Sequence, residues 1–487
     1  MISRRAVRGL PLALLCVAGA PALHAQSVRA SSTDVGAGAV PSSMTFASFA
    51  ANVEQNHPAA QQARLIAAQA RSGLQEARGA FDPKLSFALS QKAYKDTPYF
   101  TYLDAALKVP TPLGADVKLG FERSAGTKVS VDRVTPRAGL FSLGVSVPLG
   151  QRLITDERRT ALSLARAQQQ IGDAEQQALV NKLLLEAAKA YGGWYAATQR
   201  YAVAVDGVRL ARLRLEGVVV RVRNGESAPI DTLEGSLEVQ RREVVRAEAE
   251  TEWRAAHLMA ESFLWDANGA PVTLDPAQLP VLDGIARTPI DTTRLSAWLD
   301  RVTTQHPELR KADGKVTAAE AEQRLARQAQ LPFAQASLAT VGEGDDAWSG
   351  STTRWRENYK ASLDVETSLL LLKERGKAAR AGQKTAFARL DRDRLRRDIV
   401  YGVRLALNEV VLLDRVLEAQ RKNVQIASTL RDAEQQRFVN GESTLLVVNL
   451  RERVVLDEQV KLASLEGKLA SARAMLVVAV GAPSLVP

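Results

Sequence analysis

The sequence predicts a mostly α-helical fold with a membrane β-barrel portion, arranged as two tandem helix–strand–helix halves. Three observations predict it. Landmark segments recur in the same order in both halves of the 487 residues. Two proline-free stretches carry helical patterning far beyond ordinary globular length. Short segments beside them alternate apolar and polar residues with the period of a strand.

The recurrence organises the rest. "FASFAANVEQNHPAAQQAR" from Phe46 resembles "LSAWLDRVTTQHPELRKA" from Leu295 and aligns His57-Pro58 with His306-Pro307. Each of these histidines is followed 26 residues later by a proline that opens a strand-like segment, Pro83 or Pro332. "RVRNGES" (Arg221 to Ser227) matches "RFVNGES" (Arg437 to Ser443) at an offset of 216 residues. Two landmarks in the same order mark a duplication. The first repeat spans 45–270, with a helix, strands within 83–149, a long helix over 155–223 and a return helix over 229–266. The second spans 292–482, with a helix, strands within 333–367, a long helix over 370–439 and a return helix over 445–480. The Pro- and Gly-rich join at 271–291 reads as a linker.

No proline interrupts the chain between Pro148 and Pro229, or between Pro332 and Pro483. A helix of roughly 70 residues is about 100 Å long. Ile399, Val403, Ala406, Val410, Leu413, Leu417, Val424 and Ala427 follow a heptad-like spacing. Their counterparts in the first repeat are Leu183, Ala187, Ala190, Trp194, Ala197, Tyr201, Val208 and Ala211. Such a narrow seam of partly small residues is a coiled-coil seam, and it needs partner helices packed close to it.

The strand segments carry the membrane argument. "PKLSFALSQ" sets Leu85, Phe87 and Leu89 opposite Ser86, Ala88 and Ser90. "LFSLGVSVP" sets Phe141, Leu143, Val145 and Val147 opposite Ser142, Gly144 and Ser146. "YKASLDVE" sets Tyr359, Ala361, Leu363 and Val365 opposite Lys360, Ser362, Asp364 and Glu366. Alternation fits a soluble sheet over a core as well as a barrel with lipid outside and water inside. The barrel is favoured because the long helices cannot form a local covering layer. A few strands per chain cannot close a barrel, so several chains must contribute. Alternation also runs through 103–121, an extra hairpin whose membership of the barrel the sequence leaves open. The second repeat has instead a polar loop, "GEGDDAWSGSTTRW", expected at the external tip.

The N-terminus frames this. Arg4, Arg5 and Arg8 precede an apolar run from Leu10 to Ala20 and the small residues before Gln26, which reads as a cleaved signal peptide over 1–25. Residues 26–44 read as a flexible segment. The only cysteine, Cys16, lies in that signal, so disulfides and thiol chemistry are not expected. The formal charge of +10 falls to +7 without the three signal arginines, and it is spread along helices, so solvated helix faces are favoured over nucleic-acid binding. Aromatic residues at 5% suit thin helical layers better than a thick core.

Together the duplicated order, the strand end "VSVPLG" and the paired turns "RVRNGESAPIDTLEGSLEVQRRE" and "RFVNGESTLLVVNLRERVVLDEQ" resemble the TolC-like outer-membrane efflux protein family, the outer membrane factors. The resemblance covers nearly the whole mature chain. It implies a homotrimer in the cell outer membrane, with a shared β-barrel in lipid and a long α-helical coiled-coil tunnel reaching into the periplasm. It implies a passive conduit in a tripartite efflux or type I secretion system. The two turns, Arg221, Asn224, Gly225, Glu226 and Ser227 with Arg437, Asn440, Gly441, Glu442 and Ser443, would lie at the periplasmic tip. There they would dock a periplasmic adaptor (membrane fusion) protein, which connects to an inner-membrane pump. The join would form a belt about the tunnel's middle. Asp231 and Glu234 match acids that line the tunnel entrance in the family, whereas the second repeat departs with Val447 and Leu450.

The residues themselves keep plainer readings open. Asn-Gly supplies the left-handed geometry that ends a helix, and Ser227 and Ser443 are expected as N-caps of the return helices, so a helical hairpin with no partner explains the turns equally well. Asp231 also suits a first helical turn for electrostatic reasons alone. His57, His257 and His306 lack metal-ligand spacing, and no nucleotide-binding or nucleophile motif is present, so no enzyme, metal or cofactor is expected. The runner-up is a periplasmic coiled-coil adaptor or scaffold without a pore.

Overall fold

The computed structural model describes residues 43–282, 295–343 and 357–481. The expected signal peptide, nearly all of 26–44, the end of the 271–291 linker and most of the polar loop after Gly342 lie outside these residues. The first repeat contains α1 (Phe46–Asn56), α2 (Pro58–Arg78), α3 (Glu157–Arg223) and α4 (Pro229–Glu261). The second contains α5 (Leu295–Gln305), α6 (Pro307–Gln328), α7 (Leu372–Val439) and α8 (Leu445–Val480). The strands are β1 (Ser43–Thr45), β2 (Lys84–Tyr94), β3 (Thr97–Pro110), β4 (Asp116–Ala125), β5 (Leu140–Pro148), β6 (Leu279–Val281), β7 (Phe333–Glu343) and β8 (Tyr359–Glu366).

The His-Pro dipeptides make the breaks between α1 and α2 and between α5 and α6. A residue before proline is pushed out of the helical region, and His57 and His306 take ψ of 133° and 130°. Each imidazole then caps the following helix. Nδ1 of His57 accepts the Ala59 N–H at 3.1 Å and Nδ1 of His306 accepts the Glu308 N–H at 3.2 Å. The long helix α3 starts on Asp156, whose Oδ1 accepts the Arg159 N–H at 2.7 Å.

The helices α3 and α7 have 67 and 68 residues, so each runs about 100 Å. Helices α2 and α4 both pack along α3, and α6 and α8 both pack along α7. The halves join where α3 meets α6 and α8. The heptad-spaced residues form the buried seam. Val403, Ala406, Val410 and Leu417 pack with Trp298, Val302, Leu469 and Leu476. Leu183, Ala187 and Trp194 pack with Phe49, Val53, Ala260 and Leu264. Helix α3 crosses α8 closely enough that glycine is required on both sides. A Cβ on Gly192 would stand 2.7 Å from the Gly467 carbonyl oxygen, and a Cβ on Gly467 2.5 Å from that of Gly192.

Halfway along α3 the chain's join is fastened. Strand β1 pairs in parallel with β6, from the segment after the first repeat. The buried Tyr191 hydroxyl lies 2.7 Å from the carbonyl oxygens of both Met44 and Val281 and accepts the Val281 N–H at 3.0 Å.

At the other end of α3 six antiparallel strands form one sheet in the order β2-β3-β4-β5-β7-β8. The hairpin whose place the sequence left open is therefore part of this sheet, as β3 and β4. The sheet has one apolar and one polar face, and the long helices do not cover the apolar one. Leu85, Phe87 and Leu89 on β2 are 80%, 67% and 58% exposed. Leu143 and Val145 on β5, Leu338 on β7, and Leu363 and Val365 on β8 are exposed as well. A face of this size left open to water is unfavourable, which marks it for lipid or protein.

Candidate functional site

The two turns have the same backbone. In the first, Asn224 is the C-cap of α3 and Gly225 follows at φ 75°. The Gly225 N–H donates to the Val222 carbonyl at 3.0 Å and the Glu226 N–H to the Arg221 carbonyl at 2.8 Å. In the second, Gly441 has φ 79°. Its N–H donates to Phe438 at 3.1 Å and the Glu442 N–H to Arg437 at 2.8 Å. This crossed pair is the Schellman stop, which needs a left-handed residue at the glycine. Asn-Gly therefore ends each long helix by backbone chemistry, as the residues indicated.

The serines do something different from what was expected. The N-caps of α4 and α8 are Ala228 and Thr444, and neither makes a side-chain capping bond. Pro229 at the start of α4 needs no partner for a backbone N–H, so a capping hydroxyl matters less there. Ser443 turns back instead, and its hydroxyl donates to Oε1 of the buried Glu434 at 2.5 Å. Arg437 lies 3.6 Å from the same carboxylate. The first turn has no such acid, because Val218 stands at the repeat-equivalent position and is buried.

The two turns touch. The Arg221 guanidinium sits 4.8 Å above the centre of the Phe438 ring. It also lies 3.9 Å from Glu226, matching the 3.9 Å between Arg437 and Glu442. Asn224, Gly225, Glu226, Asn440, Gly441 and Glu442 are exposed, so the turns present amide and carboxylate groups to solvent. Around them Val220, Ile230, Leu233, Val439, Leu446 and Leu450 are exposed aliphatic residues. Asp231 lies in the first turn of α4 and, like Glu234, is half-buried.

Above the turns lies a layer of buried charge that pattern reading missed. Arg214 of α3 forms an ion pair with Glu452 of α8 and donates to Asn449 Oδ1 at 2.8 Å. Glu238 of α4 is held by Arg242 at 2.8 Å and by Arg453 at 3.2 Å. Glu238, Arg242, Asn449 and Glu452 are all buried. These residues tie the first hairpin to the second. Only a polar residue on a seam-facing position hinted at them, and such residues read by default as solvated. Among the described residues no cluster of His, Cys, Asp and Glu has the makings of a metal site. No described helix is long and apolar enough to cross a membrane.

The described architecture is a duplicated chain whose long helical hairpins end in paired turns and whose other end is a bare two-faced sheet. Comparison with known proteins agrees. Residues 298–482 match the family model described as "Outer membrane efflux protein". Over 261 residues the chain is 28% identical to Protein CyaE of Bordetella pertussis, covering 52% of each sequence. The chain thus spans about half the length of that curated relative. The fold matches the MtrE outer membrane channel of Neisseria gonorrhoeae with a TM-score of 0.63 at 15% identity, over 90% of this chain and 89% of that one. It matches the outer membrane protein VceC of Vibrio cholerae with a TM-score of 0.60 at 15% identity, over 90% of this chain and 96% of that one. The sequence likeness to outer membrane efflux proteins thus lies in the second repeat, residues 298–482, and over nine tenths of the chain the fold is shared with these outer membrane channels.

Proposed function

We propose that three copies of this chain assemble in the cell outer membrane as a passive export channel with a periplasmic extension. The observation that carries this reading is the exposed apolar face of the six-stranded sheet, continuous with helices about 100 Å long. An uncovered apolar face joined to a polar one suits a wall with lipid outside and water inside. The open edges β2 and β8 suit closure by further copies, since an unpaired edge in lipid leaves backbone groups unsatisfied. The helices would then line a tunnel into the periplasm.

The paired turns would form its tip and dock a periplasmic adaptor of the membrane fusion type. Their exposed amides, acids and aliphatic rim support this role. The adaptor would connect the channel to an inner-membrane pump, which supplies the energy for tripartite efflux or type I secretion. Asp231 and Glu234 would line the tip's entrance. Neither cofactor nor nucleic acid enters the mechanism. The pore-free periplasmic scaffold is disfavoured because a scaffold has no use for the bare apolar sheet.

The test is single-channel recording on the protein purified from outer membranes and reconstituted in planar bilayers. Discrete conductance steps, enlarged or opened by the adaptor, are expected. Protein that never conducts, with or without its adaptor, contradicts the reading.

A further inference from the structure

The duplication predicts two strands per repeat, yet the sheet has six strands. Strands β2 and β7 correspond, each of 11 residues and each directly following Pro83 or Pro332. Strands β5 and β8 correspond as the last before each long helix. Among the described residues strands β3 and β4 have no counterpart. We propose, resting on the channel reading above, that this inserted hairpin is part of the transmembrane wall. Each chain then supplies six strands, and three copies close a barrel of eighteen.

Register is the first argument. The hairpin does not lie across the sheet but stands between β2 and β5, hydrogen-bonded to both. One row of paired residues runs Leu85, Leu107, Leu119, Leu143, and the next runs Phe87, Ala105, Phe121, Phe141. A third runs Val109, Val117, Val145, Leu338, Ala361. Over these three rows the apolar face crosses the insert, and the next row, Leu89, Leu103, Arg123, ends it on β4 toward the far end of the sheet. The polar face crosses it as well, through Ser86, Ala106, Gly120 and Ser142. A hairpin outside the membrane has no reason to keep both faces in phase with its neighbours.

Height is the second argument. The turn at 111–115 sits at the helical end of the sheet. There Asp116 binds Lys108 at 2.9 Å and the α3 residue Arg158 at 2.9 Å. With 14 and 10 residues, β3 and β4 are long enough to cross, since a tilted transmembrane strand needs about 9–11. At the far end Tyr94 and Tyr99 stand where an interfacial aromatic girdle is expected. The loop from β4 to β5 folds onto the polar face. There the Tyr102 hydroxyl accepts the Ser130 N–H at 3.2 Å and Thr135 accepts the Ser124 N–H at 2.8 Å. This leaves the apolar face bare.

Closure is the third. With an even number of antiparallel strands, the edge strands β2 and β8 run in opposite directions. The β8 edge of one copy can therefore pair antiparallel with the β2 edge of the next. Barrel width grows about linearly with strand number, so the insert widens the lumen by about half relative to a four-strand contribution.

Single cysteines test this in a Cys16→Ser background, which removes the sequence's only thiol. Leu107→Cys and Leu119→Cys probe the apolar face of the insert, and Lys108→Cys and Lys118→Cys its polar face. Leu85→Cys and Leu363→Cys probe the apolar face outside the insert. Outer membranes are treated with a membrane-impermeant sulfonated maleimide, and labelling is compared with that of the denatured protein. The proposal expects the two insert leucine positions to be shielded at least tenfold, matching positions 85 and 363, while positions 108 and 118 react. Labelling of positions 107 and 119 with 85 and 363 shielded would overturn the eighteen-strand wall and leave the channel standing. Labelling of all four leucine positions would overturn both.

Discussion

The two repeats share a skeleton and differ at its ends. Their long helices are 67 and 68 residues, both are preceded by His-capped helices, and both stop in the same glycine turn. Those features face the other repeat or depend on backbone geometry. The ends diverge. The first repeat carries the β3–β4 insert at the sheet and Asp231 and Glu234 at the turn. The second carries the buried Glu434 under its turn, with Val447 and Leu450 at the acid positions. The shared middle is a packing solution, whereas the two ends meet different surroundings and take different chemistry.

Breaking the buried charge that joins the repeats has the largest expected effect. Glu452→Ala strands Arg214 among α3 and α8 and should cost about 3 kcal/mol or more, as loss of one member of a buried pair does. The repeat-equivalent change, Ser236→Ala, should stay within about 0.5 kcal/mol. Urea unfolding in detergent compares them. Equal costs would mean the charge layer does not join the hairpins.

The capping histidines come next. Burial holds His306 down to about 4, against an opposing hydrogen bond to the Val478 backbone, and lowers His57 too. Both accept a helix N–H through Nδ1, so both must be neutral to cap. A folded pKa below the unfolded 6.5 means the unfolded chain binds the extra proton. Stability is therefore full above about pH 6.5 and falls as pH drops toward 4, by about 2–3 kcal/mol for His306. His306→Asn, which keeps a capping acceptor, should flatten that acid limb more than His57→Asn does. An unchanged limb would remove His306 from the account.

The turns should be equal where the acids are not. Gly225→Ala and Gly441→Ala each force a left-handed Cβ and should each cost about 1 kcal/mol. Unequal costs would break the backbone symmetry of the two stops. Smallest in stability is Asp231→Asn, expected within about 0.5 kcal/mol. Its effect is read as a lower cation preference in single-channel records. An unchanged preference removes Asp231 from the entrance.

What sequence patterning reveals follows from range. The seam, the His-Pro breaks and the Asn-Gly stops are set by local periodicity and backbone preference, and they stand where residues such as Val403, His306 and Gly441 indicated. Alternation marked β2, β5 and β8, and it marked 103–121 as a hairpin, but it carries no information about which strand pairs with which. The place of β3 and β4 between β2 and β5 thus needed coordinates. Ser227 and Ser443 misled because a good capping residue one position early looks the same in sequence as a cap. Arg214 with Glu452, and Tyr191 with β1 and β6, are more than 80 residues apart or lie in different elements, beyond any local pattern.

The central claim is that this sheet is one third of a wall in the outer membrane. The direct measurement is membrane fractionation followed by sizing with light scattering, on unheated protein in mild detergent. The account predicts outer-membrane material with the protein mass of three chains. A soluble periplasmic monomer would contradict it.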